Sequence, residues 1–183
     1  AEWRAFFAEL SPKTLVVGNP PWVTNSALGV LGGDNLPAKS NFQGHNGFAA
    51  KTGKANFDIS EWMLIRLLEG LRGRPAMLAM LCKTATARKV LRHAWRNEFD
   101  LGQSSLHVID AARHFGVSVD ACLLLTHTGC SDSGQQATVC ADLSFAQPLQ
   151  TMGMVSGEMV SDVATYLELR DLDIGVVVGE DRG

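Results

Sequence analysis

The sequence has no apolar stretch long enough to cross a bilayer. Nor does it open on a signal peptide's uninterrupted apolar block: its first residues, AEWRAFFAELSPK, carry charges throughout. These two absences exclude a helical membrane protein and lead to the expectation of a cytoplasmic one. The four cysteines, at 82, 122, 130 and 140, include no CxxC pair, and the histidines are not spaced to complete a zinc site, so no metal centre is expected. Cys82 and Cys122 fall inside apolar runs and read as buried free thiols of a reducing compartment. His45, His93, His107, His114 and His127 are scattered, and none pairs with a Ser, Cys or Asp in the manner of a nucleophilic site. Internal repeats and low-complexity segments are missing too.

What remains is 183 residues, 46% hydrophobic and 19% charged, enough for one domain with a core. The net charge of −3 is unevenly spread: residues 1–128 carry 14 basic against 10 acidic groups, and residues 129–183 carry 2 against 9. Between Arg72 and Asn97 stand seven basic residues (Arg72, Arg74, Lys83, Arg88, Lys89, Arg92, Arg96) and no acid. Such a stretch meets phosphates or forms a solvated helix face, and both readings stand here.

Hydrophobic spacing organises the chain. Residues 14–18, TLVVG, read as a buried strand. From Val23 to Phe57 there is no sustained apolar period, which reads as a long loop. Asp58 followed by Glu61 marks a helix start, and Leu64, Leu67, Leu68 and Leu71 form one helical stripe, with Gly70 and Gly73 able to end it. AMLAMLC at 76–82 reads as a buried strand. Thr84 or Thr86 is the expected cap of a second helix, with Ala87, Val90, Leu91 and Ala94 on its apolar side. SSLHVID (104–110) and VDACLLLTH (119–127) read as strands joined by a short link, expected to pair antiparallel at one edge of the sheet. Alternation of this kind predicts an α/β sheet with helices on its faces. After Gly129 a polar linker leads to a strand at 137–143 and a helix from Ser161 to Arg170, so 1–128 is read as one domain and 129–183 as an acidic extension or the start of another.

The first strand runs into Asn19-Pro20-Pro21-Trp22. At the carboxyl end of a parallel strand, such a turn falls where open α/β sheets bind ligands. The prolines fix φ, so carbonyls beside them are held without further entropy loss on binding. The Asn19 side chain adds an acceptor, and two convergent acceptors suit an NH₂ group on a planar ring or amide. Trp22 offers a flat face for a base. Accepting both protons of an exocyclic amine frees its lone pair, which can then attack an electrophilic methyl group directly, with catalysis resting on positioning and electrostatics.

Gly18-Asn19-Pro20-Pro21-Trp22 resembles the (N/D/S)PP(Y/F/W) signature of S-adenosylmethionine-dependent amino-methyltransferases, most closely the DNA adenine-N6 enzymes of restriction–modification systems. The likeness continues in Gly53-Lys54-Ala55-Asn56-Phe57-Asp58-Ile59. It resumes in Pro75 to Arg88, where Cys82-Lys83-Thr84 stands in place of the common Pro-Ser, and in Phe115-Gly116-Val117-Ser118-Val119. The resemblance implies the second half of a Rossmann-like class I methyltransferase sheet. It further implies Asn19 and Pro20 on the target amine, with Pro21 stiffening the turn, Trp22 stacked on a base flipped from double-stranded DNA, and Phe115 against that base from the other side. Phe57 is implied near the cofactor, while Lys54, with Lys39 and Lys51, touches DNA phosphates or lies in a solvated loop.

The family's Gly-rich cofactor loop does not precede Asn19, and Gly29-Val30-Leu31-Gly32-Gly33 follows the motif without suiting that role. The expectation is a fragment, inactive alone, whose complete enzyme supplies an upstream cofactor-binding half and a target-recognition domain. Methylation of RNA or of a protein glutamine through the same turn, and a non-catalytic nucleic-acid-binding module of the same fold, are the alternatives.

Overall fold

The computed structural model describes residues 5–7, 9, 11, 13–23, 58–132, 134–144 and 148–171. The long loop expected over 23–57 falls beyond Val23 outside the described residues, as do Phe57, Lys39, Lys51, Lys54 and His45.

Strand β1 (Thr14–Gly18) is followed by helix α1 (Ile59–Leu71), strand β2 (Ala76–Lys83) and helix α2 (Thr84–Arg96). Then come β3 (Ser104–Ile109), the short helix α3 (Ala111–Phe115) and β4 (Ala121–Thr128). The described chain closes with β5 (Gln136–Cys140), β6 (Pro148–Val155), β7 (Glu158–Val160) and α4 (Val163–Asp171). The seven strands form one sheet in the order β1-β2-β4-β3-β5-β6-β7. Strand β1 runs parallel to β2, and β4 is antiparallel to both β2 and β3, so the carboxyl ends of β1, β2 and β3 share one edge of the sheet.

The expected α/β architecture and its antiparallel pair are present. The pair lies further inside than expected, because β4 sits between β2 and β3 and the sheet runs on past β3 through β5, β6 and β7. Helix α3 and strands β6 and β7 are additions to the sequence reading. Residues 136–160 extend the same sheet, β5 lying parallel to β3.

Period-two burial on the central strands builds the core. Ala76, Leu78, Met80 and Cys82 of β2 share a face with Cys122, Leu124 and Thr126 of β4 and with Leu106 of β3, and all are buried. Over them lie Leu64, Ile65, Leu68 and Leu71 of α1 and Ala87, Val90, Leu91, Ala94 and Trp95 of α2. The opposite face receives α4 at Gly153, where a Cβ would meet Val163 at 3.2 Å. β1 is less buried than its sequence suggests: Leu15 is 59% and Val17 68% exposed, both on one face of the strand, which among the described residues pairs with β2 alone.

Local signals explain the helix ends. The Asp58 carboxylate accepts from the Ser60 backbone N–H and caps α1. Helix α2 has no side-chain cap; neither Thr84 nor Thr86 fills that role, because the helix already starts at Thr84, whose N–H donates to the Asp120 carbonyl of the incoming β4. Gly129 shows why a residue lacking Cβ is needed after β4: its φ is +67°, and a Cβ would lie 2.2 Å from the Arg74 carbonyl carbon.

The basic stretch is largely spent inside the molecule. Arg72 donates to the Asn97 and Glu98 carbonyls and sits 5.0 Å over the Phe99 ring. Lys89 approaches Glu61 at 3.5 Å. Arg88 donates to Ser161 and Arg96 to the Gly157 carbonyl, so two arginines more than two turns apart on α2 hold the β6–β7 hairpin and the residue after it. These are exposed contacts. Arg88→Ala and Arg96→Ala are each expected to cost less than about 1 kcal/mol of stability in a urea titration.

Candidate active site

The turn stands at the edge where β1, β2 and β3 end. Gly18 lets β1 approach β2 closely, since a Cβ there would lie 2.9 Å from Met80 Sδ. Asn19 then emerges exposed, Pro20 is buried, Pro21 is exposed and Trp22 is half-buried. Burying Pro20 seats the bend on the sheet and leaves the Asn19 side chain toward solvent. All peptide bonds described are trans.

Trp22 is anchored by its polar end. Its indole N–H donates to the Leu81 carbonyl at 3.3 Å, near the end of β2. The next residue is held as well: the Ile59 N–H donates to the Val23 carbonyl at 3.0 Å, tying the turn to the first residue of α1. The ring of Trp22 meets Phe115 at 5.9 Å between centroids, with planes 80° apart. These two aromatics were expected on opposite sides of a flipped base. They stand nearly perpendicular and in direct contact, not parallel across a base-wide gap. Phe115 is exposed and ends α3, whose N-terminus is capped by Asp110 accepting from Arg113 N–H. Gly116 follows at φ +66°, closing the helix in the left-handed conformation. Residues flanking Phe115, among them Ala111, Ala112 and Val117, line a cavity of about 660 Å³ together with Val108, Asp120 and Thr84.

A charged pair lies just behind the turn. Lys83 Nζ is 2.9 Å from Asp58 Oδ2, while Asp58 Oδ1 accepts from both the N–H and the hydroxyl of Ser60. Asp58 therefore caps α1, as expected, and also binds the end of β2. In the sequence Lys83 stood only in the basic stretch and in Cys82-Lys83-Thr84, with no role at the turn. Its signal was the substitution of Cys82-Lys83-Thr84 at a strand end where Pro-Ser is common.

All four cysteines are free thiols, with Cys82, Cys122 and Cys140 buried. Cys82 and Cys122 face each other across β2 and β4. The hydrogen bond to Cys122, and then burial, push the Cys82 thiol far above its ordinary range, so it stays protonated and unreactive at neutral pH. Burial lowers the pKa of His93. His107 is buried with its ring nitrogens against Ser105 Oγ and the Asp142 carbonyl, a packed structural histidine. Among the described residues no cluster of His, Cys, Asp or Glu is suited to a metal ion, and no helix is long and apolar enough to cross a membrane.

Asn19 stands exposed at the end of β1, and Phe57, expected near the cofactor, lies outside the described residues. Compared with known proteins, the chain is 48% identical over 124 residues to the type II methyltransferase M.NspV of Nostoc sp. (strain ATCC 29411 / PCC 7524). The alignment takes in 68% of this chain and 26% of that protein, so the chain spans about a quarter of its relative's length. No family model and no solved structure matches the chain. The identity bears out the resemblance read from the residues, and the mixed α/β sheet agrees with the Rossmann-like fold of methyltransferases.

Proposed function

We infer that this chain, a relative of a type II methyltransferase, carries the amine-accepting half of an enzyme that methylates an exocyclic amino group in double-stranded DNA, adenine N6, within a restriction–modification system. The observation that carries the reading is the anchored turn: Asn19 exposed, Pro20 buried, and Trp22 half-buried and tied by its indole N–H to Leu81. The target base is extruded from the duplex, because its amine is out of reach inside the stack. It stacks on Trp22, with Phe115 beside that ring. The Asn19 side-chain oxygen and the Pro20 carbonyl accept the two N–H protons of the amine. This draws the nitrogen toward a tetrahedral shape and directs its lone pair away from the ring. S-adenosylmethionine, bound by the rest of the enzyme, supplies an electrophilic methyl group.

Two features favour this chemistry over general acid–base work. The turn has no titratable side chain, and the nearby carboxylate, Asp58, is already committed to Ser60 and Lys83. The backbone of the turn is stiffened by its prolines and anchored at Trp22 and Val23 before the base arrives, so little backbone reorganisation accompanies the reaction.

The test is methyl transfer by the complete enzyme from tritiated S-adenosylmethionine to duplex DNA, followed by nucleoside mass spectrometry. Label recovered as N6-methyladenine is expected; label elsewhere, or none, defeats the reading. Trp22→Ala is expected to weaken capture of the flipped base by about 1–3 kcal/mol, the range for a base–aromatic contact. The readout is binding of duplex carrying 2-aminopurine at the target, whose fluorescence reports flipping. Unchanged binding removes the stacking role.

A further inference from the structure

The turn is held by a closed circuit of contacts. Trp22 is bonded to Leu81. Two residues on, Lys83 is bonded to Asp58. Next to Asp58, Ile59 is bonded to Val23, which adjoins Trp22. Two hydrogen bonds and one ion pair thus join three places that are distant in sequence: 22–23, 58–59 and 81–83. Along the backbone, the turn reaches α1 only through the 34 residues 24–57. The circuit fixes where the turn sits against α1 and β2.

The ion pair is the sensitive member. The Asp58 side chain is 10% exposed and that of Lys83 28%, so the pair is only lightly screened. Both carboxylate oxygens are used, Oδ1 by Ser60 and Oδ2 by Lys83, which orients the carboxylate and with it the first turn of α1. A half-buried pair of this kind adds little stability over an apolar substitute, and its value lies in specifying one arrangement.

We propose that Lys83 is a positioning residue for methyl transfer: through Asp58 it fixes the start of α1 against the end of β2, and so sets where the Asn19–Trp22 turn presents its acceptors. The proposal rests on the amine-accepting role of the turn. Lys83 acts through Asp58, Ile59 and Val23, at one remove from the substrate.

In the complete enzyme, Lys83→Met is expected to lower the single-turnover methyl-transfer rate by about 10- to 100-fold, the scale of a misplaced reacting group. Affinities for duplex DNA and for S-adenosylmethionine are expected to stay at wild-type values. Lys83→Arg, which keeps the charge, restores most of the rate. Asp58→Asn, which keeps the Ser60 cap but loses the ion pair, reproduces the Lys83→Met loss, and the two losses do not add in the double variant. The ¹⁹F resonance of 5-fluorotryptophan at position 22, assigned by its loss in Trp22→Phe, shifts in Lys83→Met and returns in Lys83→Arg. A wild-type rate and unshifted resonance in Lys83→Met, beside an inactive Asn19→Ala, overturn the positioning role and leave the function of the turn standing. A rate loss matched by an equal loss of folded protein, seen in thermal melts, overturns it as well. An active Asn19→Ala removes the functional reading on which it rests.

Discussion

Asn19→Ala is expected to lower methyl transfer by about 10²- to 10³-fold, the usual loss when one preorganised polar group is removed from a reacting centre. The melting temperature is expected to remain at the wild-type value. The reasoning turns on where the residue sits: Asn19 is exposed at the end of β1, so truncating it takes nothing from the core. With its oxygen gone, only the Pro20 carbonyl is left to accept from the amine, and the nitrogen keeps its lone pair in the ring. Asn19→Asp retains an acceptor and is expected to fall between alanine and wild type. Single-turnover kinetics with tritiated S-adenosylmethionine, alongside a thermal melt, measure both quantities. Full activity in Asn19→Ala ends the assignment.

Leu124→Ala is the substitution expected to cost most in stability, about 2–5 kcal/mol. Leu124 is fully buried at the centre of the sheet, paired with Met80 of β2 on one side and Leu106 of β3 on the other. Removing its side chain opens a cavity that two neighbouring strands line together, and neither can close it without shifting its register. Urea titration of the purified protein gives the number. A loss below about 1 kcal/mol, as for a surface residue, contradicts the packing described here.

The elements legible in the sequence were those with a strong period. The runs at 14–18, 76–82, 104–110 and 119–127 became β1, β2, β3 and β4, and of the leucine stripe of α1 Leu64, Leu68 and Leu71 are buried and Leu67 partly so. Helix α3 escaped because five residues, AARHF, are too few to show a helical period. Strands β6 and β7 escaped for a different reason: β6 begins exposed, with Pro148, Leu149 and Gln150 all at the surface, and so lacks the alternation of a half-buried strand. The signal available was the turn itself. Ser156 and Gly157 both adopt positive φ, and a Ser-Gly step between two short runs is a hairpin cue. The interior place of β4 is set by tertiary pairing, which spacing along the chain does not encode.

The candidate site divides in the same way. Asn19, Pro20, Pro21 and Trp22 are contiguous, so their chemistry could be read directly, and Phe115 was paired with Trp22 through resemblance. The perpendicular arrangement of the two rings was not accessible, since it depends on how α3 packs. Lys83 and Asp58 stand 25 residues apart, joined by the parallel register of β1 and β2 and the cap of α1, and no local pattern links them.

The interior position of β4 has a consequence for how the protein comes into being. Strands β2 and β3 are synthesised before β4, the strand that lies between them and pairs with both. Until residue 128 has left the ribosome, the two strands flank an empty slot, with Leu78 and Leu106 turned toward a layer that has no middle. The central slot of the sheet, between β2 and β3, is thus closed by the last of the three strands to be made, like a keystone set after its neighbours.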